Sequence, residues 1–271
     1  MQSNAHAREV ARAFTIQAES FEDAARNQVF TSDARWVFER LPVGPDDLVL
    51  DVAAGTGHAA RQLAPAARAV VVLDATAAML ARGHAQAVVD GIANVVFVHG
   101  DAAALPFLDA SFDAVVCRFA AHHFEQPDAV VAEMARCVRP AGHVALVDLI
   151  ADDDPPIAAE QNRLERLRDP SHTRMLSAGE LETLLAGAGL RAVDLLIRPL
   201  ERTLQPWLDQ AEVTVQTACQ IRRELRSELA GGPVTGFAPR EDRDAPGGDA
   251  RGSELWFTQT FASAIARRPV P

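Results

Sequence analysis

Three aspartates fall where one ligand could use them together. Asp51 lies in the apolar run 48–52, Asp74 ends the run 69–74, and Asp101 follows the run 95–98. A carboxylate ending the second run can accept both hydroxyls of a ribose. One after the third can accept from an adenine amino group. Between the first two lies Ala53-Ala54-Gly55-Thr56-Gly57-His58. Gly55 and Gly57 allow a tight turn and a close approach of backbone to ligand. Each aspartate alone reads equally as a turn residue or helix cap; three at successive run ends are harder to read that way.

A second constellation could move protons. His122 and His123 follow a fourth apolar run, 112–117, and Asp148 stands near the end of a fifth, 142–150. A histidine oriented by an aspartate is a base arrangement, although the pair could instead cap the next helix or pack on the sheet. The chain has no lysine and no tyrosine, so bases are limited to His, Asp, Glu and Cys. His172 and Arg174, after Asp169-Pro170, could reach a substrate, with Arg174 holding a carboxylate or phosphate. The alternative is a solvated loop.

Positioning these residues requires particular elements. Continuous apolar runs of about five residues suit strands buried on both faces. Helical segments at 58–63, 76–90 and 129–138 separate them, which predicts a parallel sheet with right-handed crossovers. Upstream, residues 5–26 read as one or two helices and 33–41 as another, carrying Trp36, Val37 and Phe38. Downstream, helices are expected at 157–168 and 178–188, strands at 190–197 and 255–266, and a mobile loop at 231–253. Residues 206–229 read as one amphipathic helix whose face holds Trp207, Ala211, Val215, Ala218, Ile221, Leu225 and Leu229.

The 271 residues carry a net charge of −11, so a nucleic-acid partner is not expected. No apolar stretch approaches the ~20 residues of a membrane helix, and the first residues lack the apolar centre of a signal peptide. Cys117, Cys137 and Cys219 have no metal-ligand spacing and suit a reducing cytosol. The expectation is a cytoplasmic protein, monomer or homodimer, away from membranes.

The ordered set Asp51-x-Ala53-x-Gly55-x-Gly57, Asp74, Gly100-Asp101, Leu105-Pro106-Phe107 and Ser111-Phe112-Asp113 resembles class I S-adenosylmethionine-dependent methyltransferases, in their UbiE-like small-molecule branch. The stretches 117–124 and 166–172 are similar to the YcgJ-like bacterial subgroup. The resemblance covers about residues 30–200 well and the C-terminal third loosely; Ala53 replaces the usual first glycine. It implies a doubly wound α/β fold, a seven-stranded, mostly parallel sheet with an antiparallel last strand and a helical cap. One domain is expected over 1–271, with an N-terminal cap (1–43), a cofactor-binding core (44–150) and a substrate cap with the last strands (151–271).

By the same resemblance, Asp51, Ala53, Gly55 and Gly57 cradle the methionine portion of S-adenosylmethionine. Asp74 holds the ribose and Asp101 and Ala102 the adenine, with Ala75 and Gly100 also among the cofactor-binding residues. Thr76 and Met79 line the sugar and adenine, and Arg118 and Phe119 face the methyl-transfer point. S-adenosylhomocysteine is then the product. Strand four ends in Arg118-Phe119-Ala120 rather than an Asn-Pro-Pro-Tyr or Pro-Cys motif, which argues against methylation of nucleic-acid bases, and no metal is expected. Methylation of a small hydrophobic or aromatic acceptor follows, at oxygen first and carbon next, with His122, His123 and Asp148 as catalytic candidates. Two other readings stay open. A nicotinamide oxidoreductase shares the sheet, but Asp51 would repel its pyrophosphate. An accessory protein or cyclase could keep the fold and the cofactor without methyl transfer.

Overall fold

The computed structural model describes residues 4–23, 40–211, 213–242 and 254–270. The apolar runs form strands β1 (Leu48–Val52), β2 (Ala69–Asp74), β3 (Val95–His99), β4 (Phe112–Arg118) and β5 (Val138–Ile150). Alternate residues of β1 and β4 enter different apolar clusters: Leu50, Val52, Val115 and Cys117 one, Val49, Ala114 and Val116 the other. Both faces of these central strands are therefore covered, which is why they read as unbroken apolar runs; β3, at the edge, is only partly buried.

Helices α1 (Asn4–Gln17), α2 (His58–Leu63), α3 (Ala77–Val89), α4 (Pro127–Cys137), α5 (Pro155–Arg168) and α6 (Ala178–Gly187) surround the sheet. Prolines open α4 and α5, where the missing N–H costs nothing. A capping box of Ser177 and Glu180 opens α6.

The strand order is β3-β2-β1-β4-β5-β8-β6, with β6 at Arg191–Thr203 and β8 at Glu254–Arg267. Strand β8 is antiparallel to both of its neighbours. This is the expected doubly wound α/β sheet with an antiparallel last strand. An eighth strand, β7 (Arg240–Asp242), adds three residues beside β8. From β1 the chain winds outward to β3 and then returns to place β4 on the other side of β1. Such a reversal opens a crevice at the carboxyl ends of the strands, where Asp51, Asp74 and Arg118 lie.

Two expectations are corrected. The sixth strand runs to Thr203 rather than residue 197. The single helix at 206–229 is two, α7 (Leu204–Gln210) and α8 (Val215–Leu229). Thr214 starts the second by accepting the N–H of Thr217. Trp207, Ile221 and Leu225 are buried in a third apolar cluster with Leu164, Phe237 and Phe257, but Val215 and Leu229 are exposed. A stripe continuous in sequence is thus broken in space. Residues 33–39 of the expected helix and 243–253 of the expected loop lie outside the described residues.

Candidate active site

The crevice is a cavity with about 1300 Å³ of empty space, its mouth included. It runs from the carboxyl edge of the sheet to α1 on one side and to the ends of α5 and β6 on the other. The wall at the carboxyl edge contains Asp51, Ala53, Gly55, Asp74, Ala75, Thr76, Gly100, Asp101, Ala102, Arg118 and Phe119.

Asp51 is buried. Its Oδ2 accepts the N–H of Ala60 at 3.1 Å, while its Oδ1 has no partner. Burial pushes its pKa up to about 7 against the opposing pull of Arg118. Arg118 is pulled down to about 10 by burial, with Asp51 opposing. An orphaned buried carboxylate oxygen in a cavity wall suits a ligand that brings a donor or positive charge.

Asp74 ties the glycine turn to the end of β2. Its Oδ2 accepts Gly55 N–H at 2.8 Å and its Oδ1 accepts Thr76 N–H at 2.7 Å. Burial raises its pKa, partly offset by those bonds. Ala53 and Gly55 both have positive φ, 51° and 58°. The position where alanine replaces glycine is therefore left-handed, a conformation disfavoured for a residue with a Cβ. Asp101 is exposed and accepts Ala103 N–H at 2.9 Å.

Two expected contacts are not in the wall. Gly57 turns into α2, and a Cβ there would lie 2.9 Å from Val72. Met79 is fully buried behind the wall. Gly83, which no sequence motif marks, permits a close crossing of α3 over the turn: its Cβ would sit 2.1 Å from Thr56 O.

The adjacent histidines form the next stretch of wall. His122 and His123 follow β4 in a short 3-10 turn, and both line the cavity. His122 Nδ1 donates to Asp148 Oδ1 at 2.6 Å. The same carboxylate accepts the backbone N–H of His122 and of Leu149. Burial works against a charged His122 ring, but the Asp148 charge and hydrogen bond outweigh it, and its pKa is raised. His123 Nδ1 instead donates to Ser171 O at 2.9 Å. Burial, helped by neighbouring His122, pulls its pKa to about 4. The pKa values of the adjacent histidines are thus driven in opposite directions.

The segment 169–174 is fastened here by Thr173 and Arg174 N–H groups on His122 O. His172 is buried but outside the wall, paired with Asn162 Oδ1 at 3.0 Å and stacked 5.3 Å from His122. Arg174 does not enter the cavity. Its side chain is exposed and ion-paired with Glu180 at 2.8 Å, so the expected anion-holding role is not supported. Sequence reasoning missed Arg168, Asp169, Arg202 and Gln210, which line the cavity from the cap. It also gave no contact for Val10, Phe14, Gln17 and Phe21, which bring the α1 region over the mouth. Arg61 anchors this cover through both oxygens of Glu22, at 2.7 and 2.8 Å.

Comparison with known proteins agrees with this geometry. The methyltransferase domain family matches residues 50–146. YcgJ of Bacillus subtilis (strain 168), an uncharacterized methyltransferase, is 36% identical over 177 residues, covering 65% of this chain and 70% of YcgJ. A crystal structure of the Bacillus subtilis YcgJ protein matches with a TM-score of 0.76 and 27% identity, covering 91% of this chain and 99% of that one. The demethylmenaquinone methyltransferase of Mycolicibacterium vanbaalenii is 38% identical over 197 residues, 72% of this chain and 77% of that protein. The orphaned Asp51 oxygen, the left-handed Gly55 and the carboxylates of Asp74 and Asp101 fit the cofactor of that family. The chain belongs to the class I S-adenosylmethionine-dependent methyltransferases of the UbiE/YcgJ type.

Proposed function

We propose that the chain methylates a hydroxyl on a small acceptor with an apolar body, and that His122 removes the hydroxyl proton. The observation that carries this reading is the 2.6 Å bond from His122 Nδ1 to Asp148, in a ring that lines the cavity. A carboxylate on Nδ1 fixes the tautomer and leaves Nε2 as the nitrogen that accepts a proton. It also stabilises the imidazolium that results.

S-adenosylmethionine, when bound, supplies an electrophilic methyl group on sulfur. Asp51 and the glycine turn would hold its methionine portion, Asp74 the ribose, and Asp101 and Ala102 the adenine. His123, kept neutral by burial, would offer a hydrogen-bond acceptor beside His122. Phe14 and Phe21 would exclude water, and Phe119, Phe124 and Leu149 would shape the apolar wall around the acceptor. Much of the acceleration would come from alignment within this closed space.

The test is a panel of hydrophobic phenols and alcohols incubated with the protein and methyl-labelled S-adenosylmethionine, with product analysis by mass spectrometry and NMR. The label is expected on oxygen, with turnover falling at least about 100-fold in His122→Gln. Label on carbon, or turnover unchanged in that variant, would remove His122 as the base.

A further inference from the structure

Arg202, at the end of β6, brings a cation to the cavity wall, and Arg168, at the end of α5, brings another. Their surroundings differ. Arg168 is compensated: its Nε donates to Glu165 at 3.2 Å, and its guanidinium lies 4.9 Å over the Trp207 ring. Arg202 is not. Among the described residues its hydrogen bonds go to two neutral amide oxygens, Gln259 Oε1 at 2.6 Å and Gln210 Oε1 at 3.3 Å. None of the described carboxylates is within ion-pair distance of it.

The reason lies in Gln259. Its amide nitrogen donates to Glu165 and its oxygen accepts from Arg202, so a neutral group separates the cation from the acid that could neutralise it. Burial pulls the Arg202 pKa to about 9; the repulsion of Arg168 adds to this and exceeds the attraction of Glu165. Asp169 also lines the cavity, but its Oδ1 is held by the Ser171 hydroxyl and N–H and it makes no ion pair with Arg202. Arg202 is half-buried, and a cation drawn partly out of water without a counter-ion is costly unless a ligand supplies one. A guanidinium matches a planar carboxylate or a phosphate.

We propose that Arg202, with Arg168 beside it, forms an oxyanion subsite, and that the methyl acceptor is an amphiphile carrying a carboxylate or phosphate opposite its apolar body. This rests on the reading that the cavity holds the acceptor as well as the cofactor. It moves the anion-binding role from the exposed Arg174 to a residue that faces the cavity.

The test is calorimetric titration of the intact protein, first with S-adenosylhomocysteine and then, once saturated, with 2-naphthoate, 2-naphthyl phosphate or 2-naphthamide. At least one anion is expected to bind about tenfold more tightly than the amide, as one charged hydrogen bond can provide. The tighter of the two anions identifies the group. Arg202→Gln is expected to abolish the preference and Arg202→Lys to keep part of it. An amide that binds as tightly as both anions, no binding by either anion, or a preference that survives in Arg202→Gln would overturn the subsite. Should Arg202→Gln fail to fold, the comparison in unaltered protein decides alone. Absence of heat in the first titration would instead sink the cofactor reading. S-adenosylhomocysteine binding without anion preference sinks only the subsite.

Discussion

Replacing Asp148 by asparagine changes one atom and separates the electrostatic from the structural part of the His122 pair. The carboxylate accepts three hydrogen bonds: Oδ1 takes His122 Nδ1–H and Leu149 N–H, and Oδ2 takes His122 N–H. Asparagine has one oxygen, so at least one buried donor faces an NH₂ group. That costs about 1–3 kcal/mol of stability. The charge effect is separate. In the unaltered protein burial opposes the His122 cation, but Asp148 raises its pKa above the usual value of 6.5. In Asp148→Asn the burial remains and only the weaker pulls of Glu165 and Asp169 oppose it, so His122 is expected to titrate below that value. The assay is an NMR titration of the histidine ring nitrogens, which needs no acceptor. His123 serves as the internal contrast, with its pKa lowered to about 4. Linkage gives the sign for stability. A group whose pKa is raised on folding stabilises most below its unfolded pKa, and the contribution is lost as pH rises through the folded value. The stability gap between the two proteins should therefore be widest below about pH 6.5 and narrow above it. A His122 that titrates unchanged in the variant, or a gap that widens with pH, would refute the pairing as argued.

Three other outcomes follow from the glycine turn. Ala53→Gly should raise stability by about 0.5–1 kcal/mol in thermal unfolding, because φ is 51° there and the Cβ penalty exceeds the entropy cost of glycine. Asp74→Ala should weaken S-adenosylhomocysteine binding by about 1–3 kcal/mol in calorimetry; unchanged affinity would remove it from the cofactor site. Gly83→Ala should destabilise the fold by about 1–3 kcal/mol and lower that affinity, since the new Cβ would meet Thr56 O at 2.1 Å. Gly179→Ala on α6 is the control: its Cβ meets nothing within 4 Å, and helix propensity predicts no loss.

The inner strands were legible because they are buried on both faces and so leave runs that no amphipathic helix would contain. Asp51, Asp74 and Asp101 were legible because the strand ends fix where their backbones emerge. His122 and Asp148 lie on adjacent strands, and the parallel register pairs Arg118 with Val147, so their meeting followed from the strand order. The cap was harder to read. Arg168 and Arg202 come from α5 and β6, and nothing local marks either one, because what distinguishes Arg202 is an amide from β8 that shields it from Glu165. Arg174 was misread for the same reason: its partner Glu180 lies six residues on, across a turn whose direction the sequence does not encode. The break between α7 and α8 was hidden by an apolar period that continued through it. Gly83 was missed because a glycine inside a helix gives no signal unless the backbone it crosses is known.

Calorimetric titration of the purified protein with S-adenosylhomocysteine, alongside NADH, tests the central claim most directly. One site for S-adenosylhomocysteine and no heat with NADH is the predicted result. Binding of NADH, or no binding of S-adenosylhomocysteine by folded, cofactor-free protein, would contradict the assignment of Asp51, Asp74 and Asp101 to this cofactor.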